Sequence, residues 1–117
     1  MGERVFTSES FKQLVKERIL VLDGAMGTCI QEYNLQAEDF LGGKGNNDIL
    51  NITKPSVIKE IHKKYIDAGA DIISTNTFSG NSISQRDYNC QDKVYQINCM
   101  GAKIAKEVAE QSHRKVY

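Results

Sequence analysis

Two apolar runs that stop abruptly in polar residues constrain this chain most. Ile19-Leu20-Val21-Leu22 ends in Asp23-Gly24-Ala25-Met26-Gly27-Thr28, and Ala70-Asp71-Ile72-Ile73 ends in Ser74-Thr75-Asn76-Thr77-Phe78. Near-continuous β-branched runs belong to parallel strands covered on both faces. Polar residues at the carboxyl ends of such strands are where α/β folds and barrels meet their ligands. The expected fold class is therefore α/β, with one wall of a binding site visible in the sequence.

Composition narrows the class further. Fifteen basic and fifteen acidic residues cancel over 117 residues, which argues against a nucleic-acid or membrane-surface footprint built on clustered Lys and Arg. The apolar runs are too short to span a bilayer. The first six residues carry no pattern and are expected to fray, and they lack the apolar core of a signal peptide. Gly2 invites a myristoylation reading, but Phe6 stands where that motif needs a hydroxyl. Cys29, Cys90 and Cys99 are odd in number and widely spaced, as expected of reduced thiols in a soluble cytoplasmic protein.

Periodicity places the elements. A short helix capped by Ser8 or Ser10 carries Phe11, Leu14 and Val15 on one face. Strand one covers 19–23, followed by a helical turn with Ile30 and Tyr33, and 34–51 reads as a long connection rich in Gly and Asn. A helix opens around Thr53–Pro55 with Ile58, Ile61 and Tyr65 as its buried stripe, and Gly69 ends it. Strand two covers 71–75, and 79–91 is a polar loop with at most one helical turn. A last helix runs over about 92–111, with Val94, Ile97, Gly101, Ile104 and Val108 at helical spacing. Residues 115–117 read as the opening of a third strand. Strand–helix alternation implies parallel pairing through right-handed crossovers. A (β/α)8 barrel takes about 250 residues, so the chain is expected to supply about a third of one, as a single partial domain over 1–117.

The turn at Asp23 can be read in several ways. Gly24 and Gly27 let the backbone bend and turn N–H groups toward a ligand, and Asp23 can accept hydrogen bonds from an ammonium group. The plain alternative is an ordinary strand-to-helix turn. A phosphatase-type Asp-x-Asp-x-Thr reading fails, because Ala25 replaces the required general acid. Thr75-Asn76-Thr77 offers donors and acceptors at a second strand end; alternation sends Ser74 and Asn76 one way, Thr75 and Thr77 the other. His62, beside Lys63-Lys64, is expected at the surface or half-buried, and His113 in the last turn of its helix. Cys99 reads as a packing residue of the last helix. No metal-ligand spacing is present.

The chain resembles the homocysteine S-methyltransferase family, and within it the N-terminal homocysteine-binding region of the cobalamin-dependent methionine synthases. Carrying the resemblance are residues 18–28, Lys44-Gly45-Asn46-Asn47-Asp48-Ile49-Leu50, Lys54-Pro55 with Ile61-His62, and residues 68–78. It implies a (β/α)8 barrel in which zinc, held by three cysteines, binds homocysteine as a thiolate. The thiolate then takes a methyl group from methylcobalamin, which 5-methyltetrahydrofolate regenerates on other domains. It also implies that Asp23 binds the homocysteine ammonium, that Gly24 and Ala25 offer amides to the carboxylate, and that Thr75, Asn76 and Thr77 line the pocket.

Departures from the family pattern are specific. Neither the Gly-x-Asn-Cys nor the Gly-Gly-Cys-Cys zinc motif occurs. Ser74 stands where Glu is usual, Ala25 where Gly is common, and the connection 40–44 is short. The zinc ligands and the cobalamin site are thus expected outside this chain. Alone, it is expected to be an inactive fragment of the methyltransferase, or a module that pairs through an open sheet edge.

Overall fold

The computed structural model describes residues 7–117; the expectations for residues 1–6 lie outside the described residues. Six helices carry the architecture: α1 (Ser8–Glu17), α2 (Gly27–Gln31), α3 (Leu50–Thr53), α4 (Pro55–Asp67), α5 (Ser82–Arg86) and α6 (Val94–Gln111). Short 3₁₀ turns at Ala37–Phe40, Asn47–Ile49 and Gln91–Lys93 join them.

Local chemistry accounts for the helix ends. Thr7, rather than Ser8 or Ser10, caps α1: its hydroxyl accepts from the Ser10 amide at 3.1 Å, while the Ser10 hydroxyl accepts from the Thr7 amide at 3.0 Å. This reciprocal pair satisfies two donors that would otherwise be orphaned. Pro55 occupies the first turn of α4, where its missing N–H is not needed. At the other end Gly69 takes φ +116°, Gly69 N–H reaches the Ile66 carbonyl and Ala70 N–H the Tyr65 carbonyl, both at 3.0 Å. That double bond pattern closes the helix and turns the chain back beneath it.

Helices α4 and α6 pack on each other and on α3. Ile49, Leu50, Ile58, Ile61, Ile97 and Ile104 are almost completely buried between them, each stabilising the fold by about 1.5–3 kcal/mol. A smaller cluster of Ile66, Ile73, Ala105, Val108 and Val116 sits under the ends of α4 and α6.

The expected strands are not formed as ladders. Among the described residues the pairing is one isolated parallel bridge, Leu22 with Ile72, extended by a few bonds. Asp23 N–H donates to the Ile72 carbonyl at 2.9 Å and Ile72 N–H to the Val21 carbonyl at 3.2 Å, a carbonyl that also accepts Asp71 N–H at 2.7 Å. On the other side Ile73 N–H donates to the Tyr117 carbonyl at 2.7 Å, and Tyr117 N–H to the Asp71 carbonyl at 2.9 Å. One residue bonded to two that flank its neighbour is the parallel pattern. Segment 71–73 thus lies between 21–23 and 117. The ladders stay short because their outer side is bare: Ile19 is 88% exposed and Leu22 59%. Val15 is also exposed, Phe11 and Leu14 are half-buried, and α1 buries no residue fully.

Other departures are local. His113 lies past the end of α6 rather than in its last turn, and Cys99 is exposed rather than packed. Among the described residues no helix is long and apolar enough to cross a membrane.

Candidate functional site

Both polar stretches follow the paired segments at the same end, and there they enclose a cleft of about 600 Å³. Asp23, Gly24, Thr75, Asn76 and Thr77 line it. Ala25 does not; it sits at the lip, with its carbonyl turned onto the Tyr65 hydroxyl of α4 at 2.6 Å. The Asp23 carboxylate accepts the Ser74 amide at 2.9 Å, so the two strand ends are tied to each other directly.

Alternation alone left the direction of Asn76 open. Its side chain is buried, donating to the Asn47 carbonyl at 3.0 Å and to Asn51 Oδ1 at 3.1 Å. The Thr75 and Thr77 hydroxyls lie 2.7 Å apart on the exposed lip, and Thr77 N–H folds back to the Thr75 carbonyl at 2.9 Å. Phe78 is 99% exposed at the rim.

A third wall escaped the sequence reading as a site: Gly45, Asn47 and Asp48 also line the cleft. Asp48 is buried and one of its oxygens accepts the Ser79 amide at 2.5 Å. Burial pushes its carboxyl above the ordinary range, and the Ser79 hydrogen bond partly offsets that rise. A buried amide web stands behind this wall. Asn46 and Gln85 exchange two hydrogen bonds at 2.8 and 2.9 Å, and Gln85 also donates to the Ser79 carbonyl at 3.0 Å. Asn51 Nδ2 donates to the Asn76 and Ile97 carbonyls at 2.8 and 3.1 Å. Gly101 of α6 makes the fit possible, since a Cβ there would lie 2.7 Å from Thr77 Cγ2 and 2.9 Å from Asn51 Nδ2. The signal for this wall was in the sequence: polar Asn46, Asn47, Asp48 and Asn51 flank the buried pair Ile49-Leu50.

His62, expected at the surface or half-buried, is fully buried. Neither ring nitrogen has a protein partner among the described residues. Burial lowers its basicity, and Asp23 opposes that only in part.

This cleft and the segments that build it lie within one recognisable stretch. Residues 20–117 match the homocysteine S-methyltransferase family. The chain belongs to that family. Its members are methyltransferases that take homocysteine as substrate, and every residue lining the cleft falls inside the matched span. The family generally uses zinc to bind homocysteine, so the donor set was tested for it. Cys29 sits against the Tyr65 hydroxyl at 3.6 Å, Cys90 is buried with its thiol on the Tyr88 carbonyl, and Cys99 is exposed on α6. No group of three His, Cys, Asp or Glu gathers at metal distance among the described residues. These residues do not fit a zinc site. What the cleft offers is two acids, Asp23 and Asp48, with hydroxyls and backbone amides.

Proposed function

We propose that this homocysteine S-methyltransferase chain supplies the homocysteine pocket of a cobalamin-dependent methionine synthase. The overall reaction moves a methyl group from 5-methyltetrahydrofolate, by way of methylcobalamin, to homocysteine, giving methionine. Residues 1–117 form the opening part of the homocysteine-binding (β/α)8 barrel. Zinc, cobalamin and folate belong to other parts of the enzyme, and the contribution of this chain is binding and orientation.

The observation that carries the reading is the joining of the two strand ends at one cleft, with the Asp23 carboxylate bonded to the Ser74 amide. An acid held this way, with one protein donor, keeps acceptor capacity for a substrate ammonium. The amides of Gly24 and Ala25 donate to no acceptor among the described residues and suit a carboxylate. Thr75 and Thr77 present hydroxyls at the lip, while Asn76 shapes the wall.

The expected outcome of Asp23→Asn is a loss of L-homocysteine affinity of about 10- to 100-fold in calorimetric titration, the worth of a charge-assisted hydrogen bond. Unchanged affinity would remove the amino-acid pocket from consideration. A second reading, an inactive module that pairs with a partner through its open edge, is favoured by the exposure of Ile19, Val21 and Leu22. It predicts association without homocysteine binding.

A further inference from the structure

Tyr65 is a helix residue that the sequence pattern assigns to the α4 stripe, yet its hydroxyl leaves the core. Oη donates to the Ala25 carbonyl at 2.6 Å and lies 3.6 Å from Cys29 Sγ. The ring covers Gly24 so closely that a Cβ there would stand 3.0 Å from Oη and 3.2 Å from Cε1. One side chain therefore grips the Asp23–Gly27 turn at two successive points, the Gly24 backbone and the Ala25 carbonyl, and touches the Cys29 thiol of α2 just beyond it. Among the described residues this carbonyl has no other donor, and the Gly24 and Ala25 amides have no acceptor.

We infer that Tyr65 is a positioning residue for the ligand's carboxylate, holding the turn so that the Gly24 and Ala25 amides face it. The inference rests on the amino-acid pocket reading above and deepens it. A trans peptide is rigid and planar, so fixing the Ala25 carbonyl fixes the Ala25–Met26 unit on one side of Ala25. The ring packed on Gly24 restrains the Gly24–Ala25 unit that carries the Ala25 amide. Gly24 alone would let the turn sample many conformations, because glycine lacks the Cβ that restricts its backbone. Ordering it only when ligand arrives would weaken binding; a preformed turn avoids that loss. The donor also persists across pH: the Cys29 contact, with burial and nearby acids, pushes the Tyr65 phenol up to about 12. At position 24 any side chain would meet the ring, which explains glycine there by close approach.

The test is calorimetric titration of the full chain with L-homocysteine and with 3-aminopropane-1-thiol, which lacks the carboxylate. Tyr65→Phe keeps the ring and removes the hydroxyl. Its expected result is about fivefold weaker L-homocysteine binding, the worth of one neutral hydrogen bond, with binding of the carboxylate-free analogue unchanged. A role in folding alone would shift both ligands alike, and that outcome, or no shift for either, overturns the inference. Asp23→Asn run alongside separates the two readings. If it abolishes binding while Tyr65→Phe changes nothing, the pocket stands and the Tyr65 role falls. If wild type and Asp23→Asn bind equally, the pocket itself falls.

Discussion

The two ends of the paired segments are built from opposite materials. At the amino end Asp71 is buried and ionised. It accepts from Arg18 Nη2 at 2.9 Å and from the Val21 amide at 2.9 Å, with Arg114 Nη1 at 3.6 Å. Arg114 also donates to the carbonyls of Ala70, at 2.9 Å, and Ile66, closing the foot of α4. At the carboxyl end the buried groups are mostly neutral amides, Asn46, Asn51, Asn76 and Gln85, paired with one another. Charge at the amino end is consumed by the fold, whereas Asp23 at the carboxyl end is left half-buried with acceptor capacity to spare. The difference separates holding from binding. A frame fixed by ion pairs at one end lets the other present a charge outward on a scaffold of undemanding neutral bonds.

Breaking the neutral end has the largest expected effect. Asn51→Ala strips a donor from two buried carbonyls and an acceptor from Asn76. The expected loss is about 3 kcal/mol by urea unfolding, from several buried groups left unpaired at once. A loss below about 1 kcal/mol would show that this web is not what holds the cleft.

The charged end gives a smaller effect with a distinct pH signature. The Arg18 hydrogen bond, with the Val21 amide, lowers the Asp71 carboxyl from 3.8 to about 2. A group more acidic in the folded state stabilises it fully above its unfolded pKa and loses that contribution as pH falls through the folded value. Asp71→Asn should therefore melt lower than wild type at pH 7, with the gap closing as pH drops from about 4 toward 2. A gap constant across that range would assign Asp71 a role other than its charge.

The smallest effect sharpens the comparison from between the ends. Buried His62 is harder to protonate folded than unfolded, relative to an ordinary value of 6.5. The unfolded chain then binds more protons, so wild-type stability declines as pH falls below about 6.5. His62→Met, similar in volume and apolar, should match wild type within about 1 kcal/mol at pH 7. It should also flatten the decline between pH 7 and 5, as thermal melts would record. A steeper decline in the variant would mean that His62 is charged in the fold.

What was legible in the sequence is what depends on neighbours along the chain. Pro55 and Gly69 bracket α4 because helix ends are decided within a few residues. That Asp23 and Thr75 to Thr77 lie together was legible because a strand end is a local event, and they do line one cleft. The strands themselves were overestimated: β-branched runs report a preference for pairing, but here the pairing stops at the single Leu22–Ile72 bridge, and the side chains of Ile19 and Leu22 stay exposed. The Asn46–Gln85 exchange was invisible, since the partners are 39 residues apart and amides also read as loop chemistry. His62 misled for a related reason. Its lysine neighbours 63 and 64 point outward from α4 while it points in, and a rotation of about 100° per residue separates those fates.

Segment 71–73 is the member bonded on both flanks, to 21–23 before it and to 117 after it. During synthesis the amino-terminal flank emerges first, so the middle segment can dock on residues already waiting. Once it has docked, and α6 has packed on α4, the last residues meet a template with its bonding groups aligned. Residues 112–117, which follow α6, then have only a short loop to close before they meet 71–73, and the entropy of closing a short loop is small. Chain order and spatial order thus coincide: 21–23, 71–73 and 117 lie side by side in the sequence in which they follow one another.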